Sequence, residues 1–280
     1  MKYVKSEDES NVLIEEKLLG KSIISNFEAY MANSLTIAEI EIRKLRHDPT
    51  ELFTRAIQPV LWLVIFGQAF SKVRAIPTGN VNYQTFMTPG ILAQSMMFIS
   101  IFYGLSIIWD KDQGILQKLI ALPVPRPAFV TGKAFGAGVR AISQVVIILL
   151  LSLLLRINLH WSILGIFMSI ITIIFGAIIF SSLSMALAAI VKNRERFMGI
   201  GQVITMPLFF ASNAIYPISI MPHWLQILAR INPLSYIVEL LRGYLLNGYV
   251  QNAGFDWFIV IMVTVIIQLI AAYLYPKIVT

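Results

Sequence analysis

Cysteine is absent from the 280-residue chain, which excludes disulfides and thiolate metal centres. The three histidines, His47, His160 and His223, fall in separate loops without metal-ligand spacing. Charge is scarce too: 13% of residues are charged, about half of what a soluble domain carries. A phosphate-cradling glycine loop is missing, because Gly132-Lys133 has no glycine at the required upstream distance. The N-terminal stretch MKYVKSEDESNVLIEEKLLGK holds no apolar run of the kind a cleavable leader needs. The first span is therefore expected to direct insertion itself.

What is present is apolar: 57% of residues are hydrophobic, in several runs of about 20. The expected fold is an all-α membrane protein with a polar cytoplasmic tail over 1–27, an amphipathic interfacial helix over 28–50 and a six-span domain over 51–280. In EAYMANSLTIAEIEIRKLR, Met31, Leu35, Ala38, Ile42 and Leu45 form one stripe, while Glu39, Glu41, Arg43, Lys44 and Arg46 occupy the other faces. Such a helix suits the headgroup plane, with a soluble helix docked on another domain as the lesser alternative. Spans are expected near 52–70, 88–109, 132–155, 161–190, 197–216 and 256–276. Between the last two, residues 217–250 are apolar but cut by Pro217, Pro222 and Pro233 into pieces too short to cross. They read as two short re-entrant helices.

Basic residues set the orientation. Of 22 Lys and Arg, only Lys72, Arg74, Arg156, Arg230 and Arg242 fall on the outer side when both termini are cytoplasmic. The net charge of +7 therefore reports topology rather than nucleic-acid binding. Arg55 and Arg140 lie near cytoplasmic span ends, where they are expected to snorkel. No Asp, Glu, His or Lys falls in the middle of a span, so a proton or sodium relay is not expected. Gln94, Gln144, Gln202 and Gln268 are the polar groups within spans, suited to interhelical hydrogen bonds or to substrate. Gly132 and Gly136, and Gly199 and Gly201, permit close helix approach, within one subunit or across a dimer.

The stretch DKDQGILQKLIALPVPRPAFVTGK interrupts two apolar runs. Ile115, Leu116, Leu119 and Ile120 lie on one face of a short helix, Gln113, Gln117 and Lys118 lie elsewhere, and Pro123, Pro125 and Pro127 stop it. A rigid cytoplasmic rod of this kind can seat its apolar face in a partner's groove, or lie at the interface with no partner.

GILQKLIALPVPRPAFVTGKAFGAGVRA resembles the loop of the integral-membrane subunits of ABC-2 type exporters, in which G-x-L-x-x-L-x-x-x-P-x-x-R precedes a GK at the next helix. SNAIYPISIMPHWLQILARINPLSYIVELLRGYLL is similar to that family's extracytoplasmic signature, with its Y-P, M-P, N-P-L-S-Y and L-R elements. The P-V-P-R-P form is most similar to the drug-exporter and nodulation-factor branch.

The resemblance implies a type V exporter transmembrane domain without catalysis of its own. Two cytoplasmic ATPase subunits would bind ATP and Mg, and a second permease subunit, identical or not, would complete the path in the plasma membrane. It assigns 110–122 as the coupling helix, with Asp110, Asp112, Gly114, Ile115, Leu116, Lys118, Leu119 and Ile120 as coupling residues. Met31, Leu35, Ile42, Arg43, Lys44 and Arg46 belong to the interfacial helix. Gln94, Met97, Phe98, Phe102, Met206, Phe209 and Phe210 are candidate path residues, with ordinary helix packing or lipid contact as the other reading. The implied cargo is a drug, lipid or lipid-linked molecule, with polysaccharide or lipid-linked glycan export as the alternative. A membrane-embedded lipid-modifying enzyme would need clustered acids or histidines near one interface, and from the first expected span onward Asp110 with Asp112 is the only close pair of acids.

Overall fold

The computed structural model describes residues 28–45, 50–73, 81–114, 125–191 and 193–275, and among them there is helix and turn but no strand. Helix α1 covers 28–45. Helices α2 (Thr50–Leu61) and α3 (Gly67–Val73) are joined by a π-helical turn, Trp62–Phe66. Then come α4 (Tyr83–Gly104), α5 (Ser106–Asp112), α6 (Arg126–Leu154), α7 (Ile163–Val191) and α8 (Arg194–Phe210). Two short helices, α9 (His223–Ile231) and α10 (Pro233–Arg242), precede the final α11 (Ala253–Leu274).

Among the described residues four helices are long and apolar enough to cross a membrane: Tyr83–Asp112, Pro127–Leu154, Ile163–Val191 and Ala253–Leu274. The first expected span falls on α2, the π-helical turn and α3, whose apolar part is Ile57–Ser71. The fifth is 17 residues long and stops at Phe210, because Ala211 leaves helical geometry and the Ser212 hydroxyl donates to the Phe209 carbonyl at 2.6 Å. The second begins at Tyr83, earlier than expected. Pro89 lies inside this helix, past its first turn, where it removes one backbone donor.

Helix α4 is the centre of the bundle. In its most apolar window 83% of residues are buried, against 11% for α11, so α4 is wrapped by protein while α11 presents most of its surface outward. Met87, Ile91, Leu92, Met96 and Met97 fill the core around α4 with Ile173, Ala177 and Phe180 of α7. The apolar residues of α11, such as Phe258, Val265 and Leu269, are exposed. An apolar face of this extent belongs against lipid or another subunit.

The N-P-L-S-Y element acts as a clip. Asn232 caps α10 by accepting from the Leu234 N–H at 3.0 Å, and Pro233 occupies the first helical position, where a missing N–H costs nothing. The Asn232 amide then donates to the carbonyls of Leu208, at 2.6 Å, and Ala211, at 3.1 Å. These are end carbonyls of α8 that have no partner within their own helix. Tyr216 closes the same joint by donating to the Phe210 carbonyl at 2.6 Å. The 217–250 region thus forms short helices as expected, tied to the end of α8.

Candidate functional site

The site begins with glycine. A Cβ on Gly132 would lie 2.6 Å from the Ser34 carbonyl oxygen, and one on Gly136 would lie 2.7 Å from the Glu41 Cβ. The pair therefore lets α1 lie directly on the start of α6 within one subunit. Gly199 has nothing within 4 Å of its would-be Cβ, and Gly201 only a methyl at 3.9 Å. Gly136→Leu is expected to destabilise the protein by about 1–3 kcal/mol through overpacking. Gly199→Ala should be neutral or stabilising, by up to about 1 kcal/mol, from helix propensity alone. Thermal unfolding of the two variants in detergent checks the contrast.

Close approach brings charges together. The Lys133 ammonium, 1% exposed, donates to Asp110 at 2.6 Å and to Glu41 at 3.1 Å. Lys44 reaches Glu41 at 3.2 Å and Asp110 at 3.4 Å from the half-exposed side. Arg140 lies 3.8 Å from Glu41 and stacks over the Tyr103 ring at 4.4 Å. Two carboxylates and three cations thus join α1, α5 and α6 in one buried network. Burial alone would raise the Glu41 carboxyl, but Lys133, the neighbouring Tyr103 hydroxyl and Lys44, in that order, outweigh it and hold the pKa at about 2. The resulting stabilisation is complete above the ordinary carboxyl value of 4.5 and is lost as pH falls toward 2.

Several sequence expectations change here. Glu41 is 3% exposed instead of lying on a solvated face, because the glycine groove draws its side of α1 inward. Arg140 does not snorkel; ion pairing and ring stacking hold it 7% exposed. Asp110, 6% exposed, turns its carboxylate into the protein, while Asp112 is exposed. Both belong to α5, which continues α4, and Gly114 (φ +70°) ends that run with a left-handed turn. Ile115, Leu116, Lys118, Leu119 and Ile120 lie outside the described residues, as does Arg46. On α1, Met31 and Leu35 are exposed, Ile42 is half-buried, and Arg43 pairs with Glu39 at 2.7 Å on the outer face.

The expected path residues divide into three groups. Gln94, Phe98 and Phe102 line a cleft of about 110 Å³ opposite Thr54, Gln58 and Pro59 of α2. The Gln94 carbonyl is buried there and has no hydrogen-bond partner among the described residues. Met97 and Phe209 are fully buried core residues, with Phe209 edge-on to Trp62 at 6.1 Å. Met206 is half-buried and Phe210 exposed on α8. Of the other span glutamines, Gln268 accepts a hydrogen bond from Thr131 at 3.4 Å, Gln144 is buried and Gln202 is exposed.

The sequence reasoning missed Lys133 as a buried cation. Its signal was present in the Gly132–Gly136 spacing, which implies a helix lying against the residue between them.

The family model for ABC-2 type transporters matches residues 33–246. The chain belongs to that family, a class of membrane permeases. It is 33% identical over 203 residues to a Cyanophora paradoxa protein named as transport permease ycf38, covering 71% of this chain and 69% of that one. It is 26% identical over 228 residues to the daunorubicin resistance ABC transporter permease protein DrrB1 of Streptomyces coeruleorubidus, covering 81% and 78%. To nodulation protein J of Rhizobium leguminosarum bv. viciae it is 23% identical over 196 residues, covering 69% and 74%.

Proposed function

We propose that this chain is the membrane subunit of an ATP-driven exporter that moves an amphipathic or hydrophobic molecule out of the cytoplasm or inner leaflet. The carrying observation is the Lys133 network. It locks the end of α5, where the coupling segment starts, to α1 and to the root of α6. A push on segment 110–122 by two separate ATPase subunits then moves α1, α4–α5 and α6 together. In this reading α2–α3 and α8 complete six crossings, both termini are cytoplasmic, and a second permease subunit covers the exposed apolar faces in the plasma membrane. The cleft of Gln94, Phe98 and Phe102 supplies apolar rings and one unpartnered amide carbonyl, which suits an amphipathic cargo. The relative named for daunorubicin resistance supports a drug-like cargo.

Inverted membrane vesicles carrying this chain and its ATPase should accumulate a fluorescent amphipathic dye when given ATP. Uptake that is equal without the ATPase, or absent across drugs, lipids and glycans, would overturn the reading.

A further inference from the structure

At the end of the bundle opposite the Lys133 network lies a second polar feature that the transport reading does not use. A cleft of about 270 Å³ opens between α10, the 247–252 turn and the start of α11. Glu239, Arg242, Asn247, Gln251, Asn252 and Asp256 line it. The Asp256 carboxylate is decisive. The residue is 2% exposed, yet among the described residues its side-chain carboxylate has no hydrogen bond and no ion pair, while its backbone N–H donates to the Asn252 carbonyl at 3.0 Å. It sits in the first turns of α11 but takes none of the free N–H groups there. A desolvated anion in that position needs a positive partner.

Arg242 does not supply it. Its guanidinium donates to the Asn213 carbonyl at 2.9 Å and lies 4.0 Å from the centroid of the Phe86 ring. Neither carboxylate forms an ion pair with it among the described residues. Glu239 accepts from the Asn213 amide at 3.0 Å, and burial raises its carboxyl pKa even against the opposing pull of Arg242. Two carboxylates therefore face the cleft, and Arg242, held by Asn213 and Phe86 with its Nε left without a hydrogen bond among the described residues, forms an ion pair with neither.

We propose that this cleft binds an ammonium group, the charged head of an amine-bearing molecule. Its size favours a substituted ammonium over a bare ion. A hard divalent metal wants six or more oxygen ligands, and no set of three His, Cys, Asp or Glu suited to a metal exists among the described residues. Tyr249, also on the lining, adds a ring face that attracts alkylammonium groups. The proposal concerns binding by the chain itself and stands apart from the transport reading.

The test is calorimetric titration of the full chain in detergent with hexylammonium chloride, with hexanol as the neutral match and calcium chloride as the metal control. The expected result is saturable hexylammonium binding at about one per chain, no such binding by hexanol, and affinity about tenfold weaker or worse in Asp256→Asn and Glu239→Gln. Should either variant fail to fold, Asn252→Lys, which puts a tethered ammonium at the exposed rim, is expected to block the probe. Four outcomes overturn the proposal: equal hexanol binding, stoichiometric calcium binding that displaces the amine, unchanged affinity in the variants, or no saturable binding. The last outcome would leave the carboxylates sharing a proton instead.

Discussion

Lys133→Met is expected to destabilise the protein by about 3–5 kcal/mol, because removing one member of a buried ion network leaves its partners charged, desolvated and unpaired. Asp110 would lose a bond of 2.6 Å and Glu41 one of 3.1 Å, with only the half-exposed Lys44 and the more distant Arg140 left to compensate. The measurement is thermal unfolding in detergent together with the yield of folded protein. Adding Asp110→Asn and Glu41→Gln to Lys133→Met should recover part of the loss, since the stranded charges go with the lysine. A surface-type pair would behave differently, costing about 1 kcal/mol or less. If Lys133→Met unfolds like the unsubstituted protein, the network holds nothing together. The acid limb offers a second readout. Glu41→Gln should flatten the loss of stability between pH 4.5 and 2, because the depressed carboxyl is what titrates there.

The second large effect is expected at the proposed coupling segment. Replacing Leu116 and Leu119 together by Asp should abolish co-purification with the ATPase while leaving membrane insertion intact. Both leucines lie on the apolar face of the short helix read from DQGILQKLIAL. A helix that docks in a groove draws its affinity from such anchors. Two carboxylates there would have to be desolvated on docking without partners. Insertion is governed by the long apolar runs, which the substitutions do not touch. Unchanged co-purification would place the ATPase contact elsewhere. A drop in membrane level alone would make these residues part of the fold.

The two variants separate linked questions. Leu116→Asp with Leu119→Asp asks whether force enters at 110–122, and Lys133→Met asks whether it is passed on. A milder change at Lys133 that keeps the protein folded should retain ATPase binding yet lose ATP-dependent transport.

What could be read from the sequence was what depends on neighbours along the chain. Long apolar runs gave α4, α6, α7 and α11 to within a few residues, because a helix that crosses lipid must satisfy its backbone internally. The prolines at 217, 222 and 233 marked the short helices between α8 and α11. Glycine spacing marked where helices meet, though not which ones. The network itself lay beyond reach, since Glu41 and Lys133 are 92 residues apart and Lys44 and Asp110 are 66 apart. A charge flanking an apolar run reads as solvated or snorkelling until a second helix is known to cover it. Gln94 was legible as a polar group in a span, but the cleft it borders requires α2 alongside α4. Asp256 was passed over for a similar reason: it stands at the edge of a run, where an acid is unremarkable.

The π-helical turn at Trp62–Phe66 carries one further implication. Such a turn accommodates one more residue than an α-helical turn does, and the Leu63 carbonyl in it accepts from the Gln84 amide at 3.4 Å. Each residue of an ordinary helix advances the rotation by about 100°. That single insertion therefore phases two faces: Thr54 and Gln58 toward the cleft beside Gln94, and Phe70 toward the Tyr83 ring at 5.6 Å. Deleting one residue from 62–66 would leave both halves helical and apolar while swinging one of these faces out of alignment with the other.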